Sequence, residues 1–402
     1  MSEKRIYVDY NATTPLNPEV KASMIEDLDT YGNASSMHAS GRYAHARVEE
    51  ARRAVGKLLG VYAGGNLKDA SGTVIFTSGG SESNNTVFRT MERLAADKNG
   101  AAFKEGRNEF ITTTIEHPCV LNSGKDAESL GFKIHFIPVD QFGKLDMNAF
   151  QAALGPKTLF VSVMMANNEI GTIEDLKEIA RLVKAAGAWI HTDAVQAVGK
   201  IPVNVRDLGI DYLTMSAHKI YGPKGVGALY VRKGAPISPL IHGGHQEDGI
   251  RAGTYNNLGI LGFGKAAEIA LREVDAYGAR LRPLRNRLRD GLLEKIPNIK
   301  INGHPVDVLP NTLNVSFPGA EGEAILLSMD LAGIEASTGS ACASGSLDPS
   351  HVLLAIGAGP ELAHGSIRFS LGWGISEEDV DYILESLPPI IEKLRAMSTL
   401  SA

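Results

Sequence analysis

Cysteine is scarce in this chain, with only Cys119 and Cys342 among 402 residues. That excludes a small disulfide-stapled scaffold. One bridge is possible on count alone, but nothing else suggests secretion, so two free thiols in a reducing cytoplasm are the expectation. Also missing is any apolar run near the roughly 20 residues needed to span a bilayer. The opening "MSEKRIYVDYNATTP" lacks a signal peptide's apolar stretch. Neither sign of charge dominates: 40 basic against 46 acidic side chains leave a net charge of -6. That balance argues against general nucleic-acid or anionic-membrane binding. There is no internal repeat and no low-complexity linker.

What is present is an ample core, with 44% apolar and 21% charged residues. From about residue 70 to 230, β-rich runs alternate with helical patterns: "TVIFTS", "NEFITTT", "KIHFIPV", "TLFVSVMMA", "WIHTDA", "DYLTMS". Near-continuous apolar strands between helices predict an α/β fold with a mostly parallel sheet covered on both faces. After residue 260 one or two long helices lead out, followed by strands "TLNVSF" and "SIRFSLG" with their own helices. The division expected is a large domain over 15–262 and a smaller α+β domain from 1–14 and 263–402. Five arginines fall between 280 and 289. Leu281, Leu284, Leu288 and Leu292 share one helical face, so the arginines read as its solvated side rather than a nucleic-acid stripe.

In open parallel sheets, ligands bind beyond the carboxyl ends of the strands. "TVIFTSGGSESNN" is strand, glycine turn, helix. There Gly80 and Ser81 can cradle a phosphate, although an ordinary tight turn reads the same way. His117 in "EHPCV" is equally a packed or capping histidine. Asn168 in "ANNEIG" suits a turn, and Asp193 in "HTDAVQ" suits a helix N-cap. Lys219 in "SAHKIYGPKG" sits at a junction where burying an amine is costly.

Together these residues fit one ligand, pyridoxal 5'-phosphate. Lys219 would meet its aldehyde, and Asp193 would keep the pyridinium protonated so that the ring accepts electrons. His117 would stack on the ring, and Asn168 and Gln196 would bond the ring oxygen. Ser216 and His218 would bond the phosphate. The second informative stretch, "ASTGSACASGSLDPS" (336–350), surrounds Cys342 with small residues that bury little. A cysteine displayed there suggests a travelling nucleophile. Cys119, after a strand and His117-Pro118, reads as packing.

"YVDYNATTPL", "FTSGGSESNN", "EHPCVL", "ANNEIGTI", "HTDAVQAVGK", "SAHKIYGPKGVGALYV", "STGSACASGSLDPSHVL" and "SIRFSLG" resemble the NifS/IscS-type cysteine desulfurases over nearly the whole chain. The resemblance implies a fold-type I pyridoxal-phosphate enzyme of the class V aminotransferase family. It implies a homodimer that converts L-cysteine to L-alanine, passes the sulfur to Cys342 as a persulfide, and supplies iron–sulfur assembly or another acceptor. It assigns catalysis to Cys342, Lys219 and His117, and the cofactor to Lys219, Gly80, Ser81, His117, Asn168, Asp193, Gln196, Ser216 and His218. Thr254 would contact the phosphate across the dimer, and Arg368, with Asn168, would hold the substrate carboxylate.

Where the family usually reads G-G-G-[QH]-E-R-G, this chain reads "HGGHQEDG", with His245 for a glycine and Asp248 for an arginine. The pair in "HGGH" lacks a convincing third ligand, so no metal is expected. The chain ends soon after "EKLRAMSTLSA", short of the tail with which IscS-like members contact their scaffold, which leaves the acceptor open. The alternatives are a selenocysteine lyase and a non-catalytic sulfur-trafficking scaffold partner. The intact Lys219, Asp193 and Cys342 argue against the second.

Overall fold

A computed structural model describes residues 5–63, 67–338 and 348–397. Its strands, in chain order, are β1 (Ile6–Tyr7), β2 (Gly72–Thr77), β3 (Glu109–Thr113), β4 (Lys133–Ile137), β5 (Thr158–Ser162) and β6 (Trp189–Asp193). They continue with β7 (Tyr212–Ser216), β8 (Gly227–Arg232), β9 (Lys300–Asn302), β10 (Thr312–Ser316), β11 (Ile334–Glu335) and β12 (Ser366–Ser370). Seven of them form one sheet in the order β2-β8-β7-β6-β5-β3-β4. Only β8 runs against its neighbours, so the expected mostly parallel sheet is present. Because β8 opposes both β2 and β7, all six other strands point their carboxyl ends to one side.

The strand β5 is all apolar or small and buried at every position, and so is β7. Helices cover both faces, as such strands require. Helix Leu176–Ala185 shows the pattern: Asp175 caps it by accepting from Glu178 N, and Leu176, Ile179, Ala180 and Val183 face inward. Gly187, at φ +69°, carries the chain out of it. Close approach fixes another glycine: a Cβ on Gly227 would lie 2.7 Å from the backbone of Gly79. The glycine turn can therefore press against the start of β8.

The single helix Asn257–Lys295 is 39 residues long and passes through Pro283. Its first half packs on the large core through Ile260, Phe263 and Ala267. Its second half packs through Tyr277, Leu281, Leu288 and Leu292 on a second core with Leu313, Phe369 and Ile383. The sheet there runs β12-β10-β9 and is antiparallel. The arginines of this helix correct one expectation. Arg280, Arg282 and Arg287 are exposed, but Arg285 is buried, and the apolar stripe is wider than the leucine spacing suggested.

The N-terminal segment completes the second core. β1 pairs in parallel with β11, Asp9 bridges to Ser370, and Ile6, Val8 and Tyr10 are buried. The chain then crosses back to the large sheet, with Asn11 buried between the two sheets.

Candidate active site

Where the parallel strands end, the polar residues that follow them converge on one cavity of about 360 Å³. Lys219 stands in its wall. After β7 the chain makes a short 3-10 turn, Ala217–Lys219, and Tyr221 then takes a left-handed backbone at φ +63°. That conformation costs a non-glycine residue on the order of 1 kcal/mol or more. The N-terminal segment holds it: Tyr221 N donates to Thr14 Oγ1 at 2.9 Å, and Thr14 N and Oγ1 donate to the His218 carbonyl at 3.1 and 2.9 Å. Lys219 Nζ donates to the carbonyls of Asn11 at 2.5 Å and Ala12 at 2.7 Å.

From the end of β6 comes Asp193, 6% exposed. Its carboxylate accepts from Asn84 Nδ2 at 2.7 Å and Val195 N at 3.0 Å. Both donors fix the orientation of the carboxylate. From beyond β3 comes His117, the N-cap of helix Pro118–Ser129, whose Nδ1 accepts from Cys119 N at 3.2 Å. Burial, and secondarily the charge of Lys219, push its pKa down against the pull of Asp193. A neutral ring with Nδ1 accepting carries its proton on Nε2.

The helix Gly80–Ala96 opens at the cavity, and Gly80 and Ser81 line it. Ser78 N donates to Glu82 Oε2 at 2.8 Å, and Arg251 Nε donates to Glu82 Oε1 at 2.9 Å. The acid in this first turn is thus neutralised by an arginine, which leaves the helix's positive end available to an anion. Ser216 and His218 line the same end, which widens into an outer recess that also reaches Lys224. Burial and the neighbouring lysines push His218 down to about 4, and its Nδ1 lies 3.1 Å from Thr13 Oγ1.

Arg368 reaches in from β12, 2% exposed. One guanidinium nitrogen donates to Asp9 Oδ1 at 2.7 Å and another to the Asn168 carbonyl at 3.1 Å. Its Nε is buried with no partner among the described residues. An unspent N–H beside a half-satisfied guanidinium suits a ligand carboxylate.

Ten of the residues expected from sequence therefore line one cavity: Gly80, Ser81, His117, Asn168, Asp193, Gln196, Ser216, His218, Lys219 and Arg368. Thr254 does not join them. It is exposed on this chain, although Gly253 and Tyr255 share a small cleft with Ser78 and Gly225, which also line the outer recess. Cys342 lies outside the described residues, but the described chain on both sides of it is held at the cavity. Ser337 exchanges backbone hydrogen bonds with Arg368 at 2.7 and 3.4 Å. Ser350 Oγ donates to Glu169 Oε2 at 2.5 Å, next to Asn168.

Cys119 needs a correction. It is packed, as expected, but it also lines the cavity, with Sγ 3.0 Å from His117 Nδ1 and 3.1 Å from Asn84 Nδ2. Burial pushes its thiol up to about 12. The two residues that depart from the family pattern sit on a stapled loop. Asp248 follows Glu247, both at positive φ, and Glu247 takes Arg52 at 2.6 and 3.0 Å. His242 of "HGGH" lies beside Arg93. Among the described residues no cluster of three histidine, cysteine or acidic side chains is placed to hold a metal.

Sequence reasoning missed Asn11, Asn84 and Lys200. Each lay inside a stretch already singled out.

A lysine at a strand end, an aspartate at the next one and a helix N-terminus beside them define a fold-type I enzyme site, and the comparisons agree. Residues 6–383 match the family model Aminotransferase class-V, and the chain belongs to that family. Within it the chain is placed with the NifS/IscS-type cysteine desulfurases. A protein named "Cysteine desulfurase IscS" from Dictyoglomus turgidum is 48% identical over 98% of this chain and 97% of its own. A "Cysteine desulfurase" of Cereibacter sphaeroides is 47% identical over 99% of each. A solved structure titled "NIFS-LIKE PROTEIN" superposes with a TM-score of 0.87 at 38% identity, covering 97% of this chain and 100% of that one.

Proposed function

We propose that this chain is a pyridoxal-phosphate-dependent cysteine desulfurase, which converts L-cysteine to L-alanine and moves the sulfur to Cys342. The observation that carries this reading is the meeting of Lys219, Asp193 and Arg368, from three separate strands, in one cavity. The residues present fit the cofactor. Asp193 is a fixed, buried carboxyl group for the ring nitrogen, Gly80, Ser81, Ser216 and His218 form a polar end for the phosphate, and Lys219 is the amine for the aldehyde. When bound, the cofactor supplies an electron-withdrawing ring that stabilises negative charge at the substrate Cα.

The protein's own part follows from the geometry. Arg368, which lines the cavity, receives the substrate carboxylate and orients the amino acid. Lys219 would be the base beside Cα. His117, neutral with its proton on Nε2, is a donor to the departing sulfur side rather than a second base. The Cys342 thiolate takes the substrate sulfur: the Cβ–S bond breaks, an S–S bond forms, and Cβ gains a proton as alanine is made. Cys119 is unsuited to that task. A thiol at about 12 is ionised only about one part in 10⁴ to 10⁵ near neutral pH.

The finer assignments belong to the same proposal. They are the residue roles given above, a division into domains 15–262 and 1–14 with 263–402, and a homodimer in which Thr254 serves the partner's phosphate end. They also include a cytoplasmic location and an iron–sulfur scaffold or other protein as sulfur acceptor. Exposed Ile25, Leu28, Tyr31, Met37 and Tyr43 supply an apolar surface for the dimer.

The decisive experiment supplies purified protein with L-cysteine and L-selenocysteine side by side, and measures alanine and released chalcogen. Borohydride treatment of the yellow protein should fix the cofactor to the Lys219 peptide. A colourless protein that cannot be reconstituted, or a label elsewhere, removes the cofactor reading. Alanine from selenocysteine alone makes the protein a lyase.

A further inference from the structure

Lys200 is 2% exposed and no carboxylate among the described residues pairs with it. Its Nζ donates to Asn11 Oδ1 at 2.8 Å and to Gln196 Oε1 at 2.6 Å. Unlike Asn11 and Gln196, it does not line the cavity. A buried lysine without a counter-ion is costly, and neither the described core nor the roles assigned above account for it.

The amide of Gln196 explains the placement. Its oxygen is turned to Lys200, and its nitrogen donates to the Asn11 carbonyl at 2.9 Å. That same carbonyl accepts from Lys219. A primary amide nitrogen has two hydrogens, and the second has no partner among the described residues. Flipping the amide would point its N–H₂ at the Lys200 amine and its oxygen at the Asn11 carbonyl, replacing two hydrogen bonds with an oxygen–oxygen clash. Lys200 and the Asn11 carbonyl together therefore decide which end of Gln196 faces the cavity.

We propose that Lys200 is a positioning residue that holds Gln196 as a hydrogen-bond donor toward the ring oxygen of the bound cofactor. The inference rests on the cofactor reading above. The charged groups facing the amine are Lys219 and Arg368, both positive. With burial they push its pKa well down. The amine gives two of its N–H donors to the two amide oxygens. The lysine can thus be buried without a carboxylate and still fix the amide.

The test uses the yellow holoenzyme of wild type, Lys200→Met, Gln196→Ala and the double variant. The readouts are the pH midpoint of the visible absorption band and the rate of cofactor loss on dilution. Lys200→Met should move the midpoint by about half a unit or more and speed cofactor loss about tenfold, the effect of one misdirected hydrogen bond. In the Gln196→Ala background the same substitution should change the loss rate less than about twofold, because there is no amide left to orient. Equal effects in both backgrounds, or none in either, overturn the proposal. Should Lys200→Met fail to fold, Lys200→Gln takes its place: it keeps one donor, and an effect undiminished in the Gln196→Ala background overturns the proposal equally. A wild-type protein that never takes up the cofactor refutes the underlying reading instead, so the two failures are distinguishable.

Discussion

Arg368→Ala tests the substrate site most directly. In the folded chain the guanidinium spends one nitrogen on Asp9 and one on the Asn168 carbonyl, and leaves Nε buried with no partner among the described residues. A substrate carboxylate would complete it. Losing that charge-assisted contact should cost about 2–4 kcal/mol, a roughly 30- to 1000-fold weaker Kd for cysteine. Cofactor affinity should change less than about threefold, since its anchors are on other strands. The substitution also strips Asp9 of its partner. Asp9 keeps 18% of its side-chain surface in water, so the stability loss should fall below the 3–5 kcal/mol typical of a broken, fully buried pair. Asp9→Asn/Arg368→Ala removes even that orphaned charge. The assay is a titration of the holoenzyme's visible band with L-cysteine, with thermal unfolding as control. Cysteine binding within about threefold of wild type in a folded, yellow variant would show that another group holds the carboxylate.

Three further outcomes follow from the same geometry. Cys342→Ser should keep the yellow colour and the cysteine-induced spectral change but lose sulfur transfer, because a neutral hydroxyl is a far poorer nucleophile toward sulfur than a thiolate; normal turnover would refute the assignment. Cys119→Ser should keep most activity, since serine can accept the Asn84 N–H as sulfur does, and mass spectrometry after a cysteine pulse should place the extra sulfur on the Cys342 peptide and not on Cys119. Glu169→Gln should change the pH dependence of stability: burial raises the Glu169 carboxyl to about 7, so the folded state binds its proton more tightly than the unfolded chain, and wild type loses stability relative to the variant as pH rises from about 4.5 to 7, by at most about 3 kcal/mol. Urea midpoints at pH 4.5, 6 and 7.5 that move in parallel for the two proteins would contradict that.

The large sheet was legible because parallel strands buried on both faces are near-continuous apolar runs, and their ends can be read directly from the sequence. Asp193, His117, Asn168 and Lys219 are visible for that reason. The small parallel pair was not legible. Ile6–Tyr7 finds its partner Ile334–Glu335 only through tertiary packing, and two residues leave no alternation to read. Everything that depends on this crossing was hidden too. Asn11 reads as a polar residue in a loop, yet the fold places its carbonyl at 2.5 Å from Lys219 and its side-chain oxygen at 2.8 Å from Lys200. Lys200 follows "VQAVG" and reads as a solvated lysine, because local sequence does not record that the N-terminal segment will cover it. The same limit explains Arg285, read as solvated from leucine spacing and found buried. Motif reading locates groups that face a ligand, since those cluster at strand ends. The groups that orient them, Asn84 on Asp193 and Lys200 on Gln196, become visible only when the second partner of each hydrogen bond is known.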